Sequence, residues 1–233
     1  MNGVLCMGSD EIPALLLSGG RPRDPAAMAG MIAVAFDRID KPAVAYIGTA
    51  NGDSPAFFEA MEATLKQAGA YEVLFLRLAD DHADIDAAKD SLSGADVVFL
   101  AGGEVEDGMV WLDKHGLSSF LRDLYTQGKR FIGVSAGTIM MGTHWTHWDV
   151  QEDDSTASLF DCLGIIPCLF DVHGEDEDWV ELKTTLRLLG EGSIGYALPA
   201  GAMISADSGG ILMDIEKKHL IFQNNNGVVG MIS

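Results

Sequence analysis

Short aliphatic and β-branched runs alternate with amphipathic stretches through the first part of the chain, and this alternation limits the fold more than any other feature. The runs at 14–17, 43–47 and 97–100 are apolar throughout, and those at 72–78 and 130–134 are apolar apart from Glu72, Arg77 and Arg130. A strand apolar on both faces belongs inside a sheet covered on both sides, which is the habit of parallel sheets. Between the runs, Met28, Met31, Ile32 and Ala35 form one helical stripe. Phe58, Met61, Leu65 and Ala68 form a second, and Leu117, Phe120, Leu121 and Leu124 a third. Strand and helix in alternation predict a three-layer α/β fold with a mostly parallel sheet between helices. Beyond Gly142 the pattern changes. Trp179, Leu182, Leu186 and Leu189 mark one more helix, and runs at 202–205, 211–215 and 219–222, separated by DSGG and EKK turns, predict antiparallel strands closing an edge. Neither an internal repeat nor a long Pro/Gly linker interrupts 1–233, so a single domain is expected.

Apolar residues make up 48% of the chain and charged ones 21%, enough for a core and too little charge for disorder. The charged residues are unbalanced, 15 Lys and Arg against 35 Asp and Glu, a formal charge of −20. Such a surface repels phosphate backbones and anionic bilayers, and without a basic patch neither nucleic acid nor membrane is an expected partner. The longest apolar runs, such as 165–170, fall far short of the ~20 residues that span a bilayer. The first residues lack a basic segment of the secretory kind, so the cytoplasm is expected. Cys6, Cys162 and Cys168 have no zinc-site spacing and read as reduced thiols.

The segment 130–142 holds the chemistry. Its strand-like start runs into Gly133-Val-Ser135-Ala136-Gly137 and then a small-residue helix start. G-x-S-x-G is the pattern of a nucleophile elbow, in which glycines make room for a serine held in a strained strand-to-helix turn. Ser135 would project from the carboxyl edge of the sheet, with the Ala136 amide aimed at an oxyanion. The plainer reading is a serine that caps a helix in a tight turn. Upstream, the run 97–100 leads into Gly102-Gly103, where an unshielded amide at Gly103 would provide a second oxyanion donor or simply make an ordinary turn.

Together the run from Val97 through the glycine pair, the Leu112, Gly116, Leu117, Leu121 helix and the GVSAG elbow resemble the aspartyl dipeptidase (peptidase E) and cyanophycinase family. The matching motifs span about 97–142. That resemblance implies a serine hydrolase on a class I glutamine amidotransferase-like, flavodoxin-like α/β fold. It implies Ser135 as nucleophile, Gly103 and Ala136 as the oxyanion hole, and a histidine somewhat under forty residues beyond the serine. His173 follows Ser135 by 38 residues. A serine hydroxyl needs an imidazole to take its proton, which would make His173 the general base. Taken alone, a histidine in an acidic loop is more often a surface residue.

Two positions depart from the family pattern. Its orienting glutamate falls in a Leu-Pro-Glu-Gly segment, and here that segment is Leu198-Pro199-Ala200-Gly201. The residue after the oxyanion glycines, usually Asn, is Glu104, whose charge opposes a developing oxyanion. Asp149, Asp171 or Glu175 would have to hold His173, or catalysis is weakened. Family substrates carry an aspartate, which calls for a cation; Lys183 and Arg187, on the helix beyond His173, are the candidates, or else ordinary surface charges beside Glu181. Glu104 and the acidic loops count against an acidic substrate.

His144, His147 and Asp149 form an H-x-x-H-x-D string, which is no established metal pattern, and neither a metal nor another cofactor is expected. The stretch instead reads as a loop rimming a pocket, with Trp145 and Trp148 as apolar walls or subunit contacts. Two rivals use the same sequence differently. An α/β-hydrolase esterase would take Ser135, Asp207 or Asp214, and His219 in that order. A lapsed family member would keep the pocket as a small-ligand binding module. The leading expectation is a serine peptidase or amidohydrolase acting on a small peptide or amino-acid-derived substrate, as a monomer or a homodimer.

Overall fold

The computed structural model describes residues 14–17, 19, 24–150, 153–207 and 209–233; Cys6 and Glu152 lie outside them. The chain runs β1 (Ala14–Leu17), α1 (Pro25–Ile32), β2 (Ala43–Ile47), α2 (Pro55–Ala68), β3 (Glu72–Leu76) and α3 (Ile85–Gly94). It continues through β4 (Val97–Leu100), α4 (Val105–Lys114), α5 (Leu117–Thr126), β5 (Arg130–Val134) and α6 (Ala136–Met141). The later elements are β6 (His144–Trp148), β7 (Ala157–Asp161), β8 (Phe170–Val172), α7 (Val180–Leu189), β9 (Ile194–Leu198) and β10 (Met203–Ala206). The last are β11 (Leu212–Glu216), β12 (Leu220–Asn225) and β13 (Val228–Met231). No helix among the described residues is long and apolar enough to cross a membrane.

The main sheet has seven strands in the order β11, β10, β1, β5, β4, β2, β3. Its five-strand body from β1 to β3 is parallel throughout, while β10 joins β1 and β11 joins β10 antiparallel. The consecutive apolar residues of each strand divide by pleat between two cores. On one face Leu16, Ile47, Val98, Leu100 and Phe131 meet Leu92 of α3, Leu112 of α4 and Leu121 of α5. On the other, Leu17, Tyr46, Phe99 and Ile132 meet Ile32 of α1 and Leu65 of α2. Tyr46 stacks on Phe99 at 5.5 Å and takes Phe58 edge-on at 5.2 Å. Each such buried large side chain contributes about 1.5–3 kcal/mol, so both faces are firmly anchored and the mostly parallel α/β sandwich is the observed fold.

Three departures from the sequence reading have local causes. β3 stops at Leu76 because the Asp53 carboxylate accepts the amides of Leu78 and of Ala79, the latter at 2.6 Å, which removes them from any ladder. Residues 144–148 are not a loop but strand β6, paired antiparallel with β7 from His144↔Asp161 to Trp148↔Ala157. β12 does not extend the main sheet: it lies in a second sheet ordered β13, β12, β9, β8, where β8 and β9 are parallel. That placement lets Phe222 and Ala197 bury against Trp179, Leu182 and Leu186, a third apolar cluster beneath α7. Leu189, at the end of the stripe, is exposed. Cys162 and Cys168 are buried free thiols, and burial pushes them up to about 12 and about 11.

Candidate active site

β4 and β5 end side by side at the carboxyl edge of the main sheet, and the turns that follow them leave no room for side chains. A Cβ at Gly137 would lie 2.1 Å from the Leu100 carbonyl oxygen, and one at Gly133 would lie 2.7 Å from that of Gly137. At Gly103, φ is +147° and a Cβ would fall 1.9 Å from the Ala50 oxygen. Only glycine fits these positions. The chain therefore turns sharply from β5 into α6, and Ser135 carries the strain, with φ 54° and ψ −121°. Its amide donates to the Leu17 carbonyl at 2.9 Å, and the Thr138 hydroxyl donates to the carbonyls of Leu17 and Gly133, each at 2.9 Å. These bonds tie the elbow to its own strand and to β1. Backbone strain of this kind costs on the order of 1–3 kcal/mol and persists only when the surroundings enforce it.

His173 comes from the other sheet. Its amide donates to the Leu198 carbonyl at 2.9 Å, prolonging the pairing of β8 with β9 by one residue, and its φ of 44° then turns the chain away. The imidazole reaches across so that Nε2 lies 2.9 Å from Ser135 Oγ. Gly103 and Ala136 border the same cleft, and among the described residues nothing accepts either amide. The loop carrying Gly103 is pinned by Asn51, whose Nδ2 donates to the Gly102 carbonyl at 2.8 Å, and by the Glu104 amide, which donates to Ala50 at 2.6 Å. Asn51 escaped the sequence reading; its only signal was its place just beyond the apolar strand β2, at the carboxyl edge where such folds keep their sites.

The cleft has a volume of about 510 Å³, and Trp145 and Trp148 line it. Of the acids weighed for His173, Asp149 lies 3.4 Å from His147 Nε2, and Glu175 Oε1 accepts the Ala200 amide at 2.6 Å. Asp171 is buried beneath the cleft, its Oδ1 accepting the Val172 amide at 2.7 Å. Among the described residues no carboxylate pairs with His173. His219 is elsewhere: its Nδ1 sits 2.5 Å from Asp214 and its ring packs against Tyr196, while Asp207 accepts the Gly209 and Ile211 amides. The esterase constellation therefore does not assemble around Ser135, whose partner is His173.

His144 and His147 do not converge, because strand geometry sends residues three apart to opposite faces. His144 Nε2 lies 3.5 Å from Asp161, whereas His147 Nδ1 binds Glu106 of α4 at 2.8 Å. The Glu106 carboxylate, with a smaller contribution from Asp149, raises the His147 pKa above its ordinary value. Lys183 Nζ is held 2.8 Å from Asp178 and lies over Phe222, Arg187 contacts Thr184, and neither borders the cleft.

A serine on a strained strand-to-helix elbow, with an imidazole on its hydroxyl and two unclaimed amides beside it, belongs to the serine hydrolases. Comparison with protein families makes the class specific. The model of peptidase family S51 matches residues 14–212, and the chain belongs to that family. It is a serine peptidase. Among solved structures, that of a peptidase from an acI-B1 Actinobacterium superposes with a TM-score of 0.68 at 17% identity, covering 96% of this chain and 94% of its own. That of a Listeria monocytogenes EGD-e protein assigned to peptidase E gives a TM-score of 0.64 at 14% identity, covering 90% and 100%. At these identities the likeness is one of fold. Comparison with curated protein sequences finds no match.

Proposed function

We propose that the chain hydrolyses small peptides through an acyl-enzyme on Ser135, with His173 as general base and acid. The observation that carries this reading is the 2.9 Å contact between Ser135 Oγ and His173 Nε2 at the mouth of a cleft that both residues line. In the first step the hydroxyl proton passes to Nε2 as Oγ attacks the scissile carbonyl carbon. The oxyanion that forms takes hydrogen bonds from the Gly103 and Ala136 amides, each such donor being worth about 10²–10³ in turnover. Collapse breaks the C–N bond, and the imidazolium returns its proton to the leaving amine. Water then repeats the sequence on the ester, releasing the acid and restoring Ser135.

Among the described residues no carboxylate is bonded to the His173 ring, so the machinery reads as a dyad. The same feature motivates the second reading, a binding module that has lost turnover. Assaying a panel of dipeptides with the wild type, Ser135→Ala and His173→Ala separates the two. Hydrolysis that falls by about 10⁴-fold or more in each variant supports the dyad. Hydrolysis that survives both substitutions overturns it, and tight dipeptide binding with no turnover in the wild type supports the binding module.

A further inference from the structure

The cleft around Ser135 is lined by six carboxylate residues, Glu104, Glu106, Asp107, Asp171, Glu177 and Glu181, and among the described residues by no lysine or arginine. A crowd of exposed acids is no site by itself. Asp171 is different: it is only 3% exposed, it borders the cleft, and its Oδ2 is buried with no hydrogen-bond partner among the described residues. Buried carboxylate oxygens are nearly always satisfied, and one left open at the wall of a cleft marks a missing donor. Gly174, which also borders the cleft, lies against that oxygen: a Cβ there would stand 3.4 Å from Oδ2.

We propose that this wall is a subsite for a positively charged group of the substrate, an ammonium or guanidinium, received by Asp171 with Glu177 and Glu181 beside it. The inference rests on the reading of the Ser135 cleft as a peptide site and names what that site selects. A cation supplies both the donor that Oδ2 lacks and the charge that the surrounding acids demand. Trp148, bordering the same cleft, offers apolar surface for the alkyl stem and for a cation–π contact. Burial first, and then Glu181, push the Asp171 carboxyl up to about 8, while the Val172 and Leu182 amides pull the other way. A carboxyl so costly to ionise alone gains most from an opposite charge. An aspartate side chain, the group that the family resemblance puts in the substrate, would meet like charges here.

Calorimetric titration of Ser135→Ala protein tests this without turnover. The probes are norleucinamide, carrying only an α-ammonium, Nα-acetyl-lysinamide, carrying only a side-chain ammonium, and the uncharged Nα-acetyl-norleucinamide. At least one charged probe should bind about tenfold or more tightly than the uncharged one, and the one that does identifies the source of the charge. Adding Asp171→Asn should remove the preference, and Glu181→Gln, at the start of α7, should reduce it if the first variant folds poorly. Equal binding of all three probes, no binding of any, or a preference that survives both substitutions overturns the subsite. The peptidase reading fails separately: cation-selective binding alongside a wild type that hydrolyses no peptide would contradict turnover and leave the subsite standing.

Discussion

Glu175 Oε1 accepts the Ala200 amide at 2.6 Å, so a carboxylate binds the backbone at the position where the family pattern would place its orienting glutamate. The bond holds the loop after β9 to the segment following His173. It positions backbone and leaves the imidazole to Ser135 alone among the described residues. Glu175→Ala and Asp149→Ala should therefore each lower kcat by less than about tenfold, against the roughly ten-thousandfold loss expected when a true triad acid is removed. Steady-state kinetics on one dipeptide decides this, and a collapse in either variant would identify the third member of a triad.

The glycines of the two turns should tolerate a side chain far less well than Gly52, in the loop after β2. Gly103→Ala combines a φ of +147° with a Cβ 1.9 Å from the Ala50 oxygen, and Gly137→Ala drives a Cβ to 2.1 Å from Leu100. Each should cost about 2 kcal/mol or more in urea denaturation, from overpacking and, at Gly103, backbone strain. Gly52→Ala, where φ is +65° and no atom of the described residues lies within 4 Å, should cost only about 1 kcal/mol. Equal losses at all three would mean that close packing around the elbow is not what excludes a side chain.

Asp171 makes stability depend on pH in a definite direction. Its carboxyl rises from the ordinary 3.8 to about 8 on folding, so between those values the folded state holds a proton that the unfolded state has released. Stability from this residue is therefore present below about 4 and is lost as pH climbs through about 8. Asp171→Asn should match the wild type near pH 4 and exceed it near pH 9, by at least about 2 kcal/mol. Denaturation curves at the two pH values check it; a variant less stable than the wild type at pH 9 would contradict the raised pKa of this buried carboxyl.

Glu106 and His147 join α4 to β6 across the cleft wall. Because the carboxylate raises the histidine pKa, an NMR titration of the His147 ring should give a midpoint above the ordinary 6.5. Glu106→Gln should lower that midpoint, and no change would mean that the pair does not form in solution.

The body of the fold was legible because its strands are apolar almost throughout, Arg130 at the start of β5 being the exception: 14–17, 43–47, 97–100 and 130–134 became β1, β2, β4 and β5 without a shift. Ser135, Gly103 and Ala136 were legible for a related reason, since the elbow tolerates few residue types and so leaves a pattern in the chain. The second sheet was not. β8 has three residues, and β12 has a half-buried alternation that fits an edge of either sheet, so its placement is decided by where Trp179 and Leu186 find apolar cover. The stretch holding His144 and His147 read as a loop and is strand β6. Their pattern carries no strand signal, and strand pleating sends the two to different neighbours. Asn51 and the open oxygen of Asp171 needed three dimensions, because hydrogen bonds between distant loops leave no periodicity to read.

Intact-mass spectrometry after incubation with a fluorophosphonate tests the central claim, an activated Ser135, most directly. One adduct per wild-type chain is predicted, mapping to Ser135 and absent from both Ser135→Ala and His173→Ala. A folded wild type that takes up no probe, or an adduct that persists in His173→Ala at the wild-type rate, would contradict the Ser135–His173 dyad.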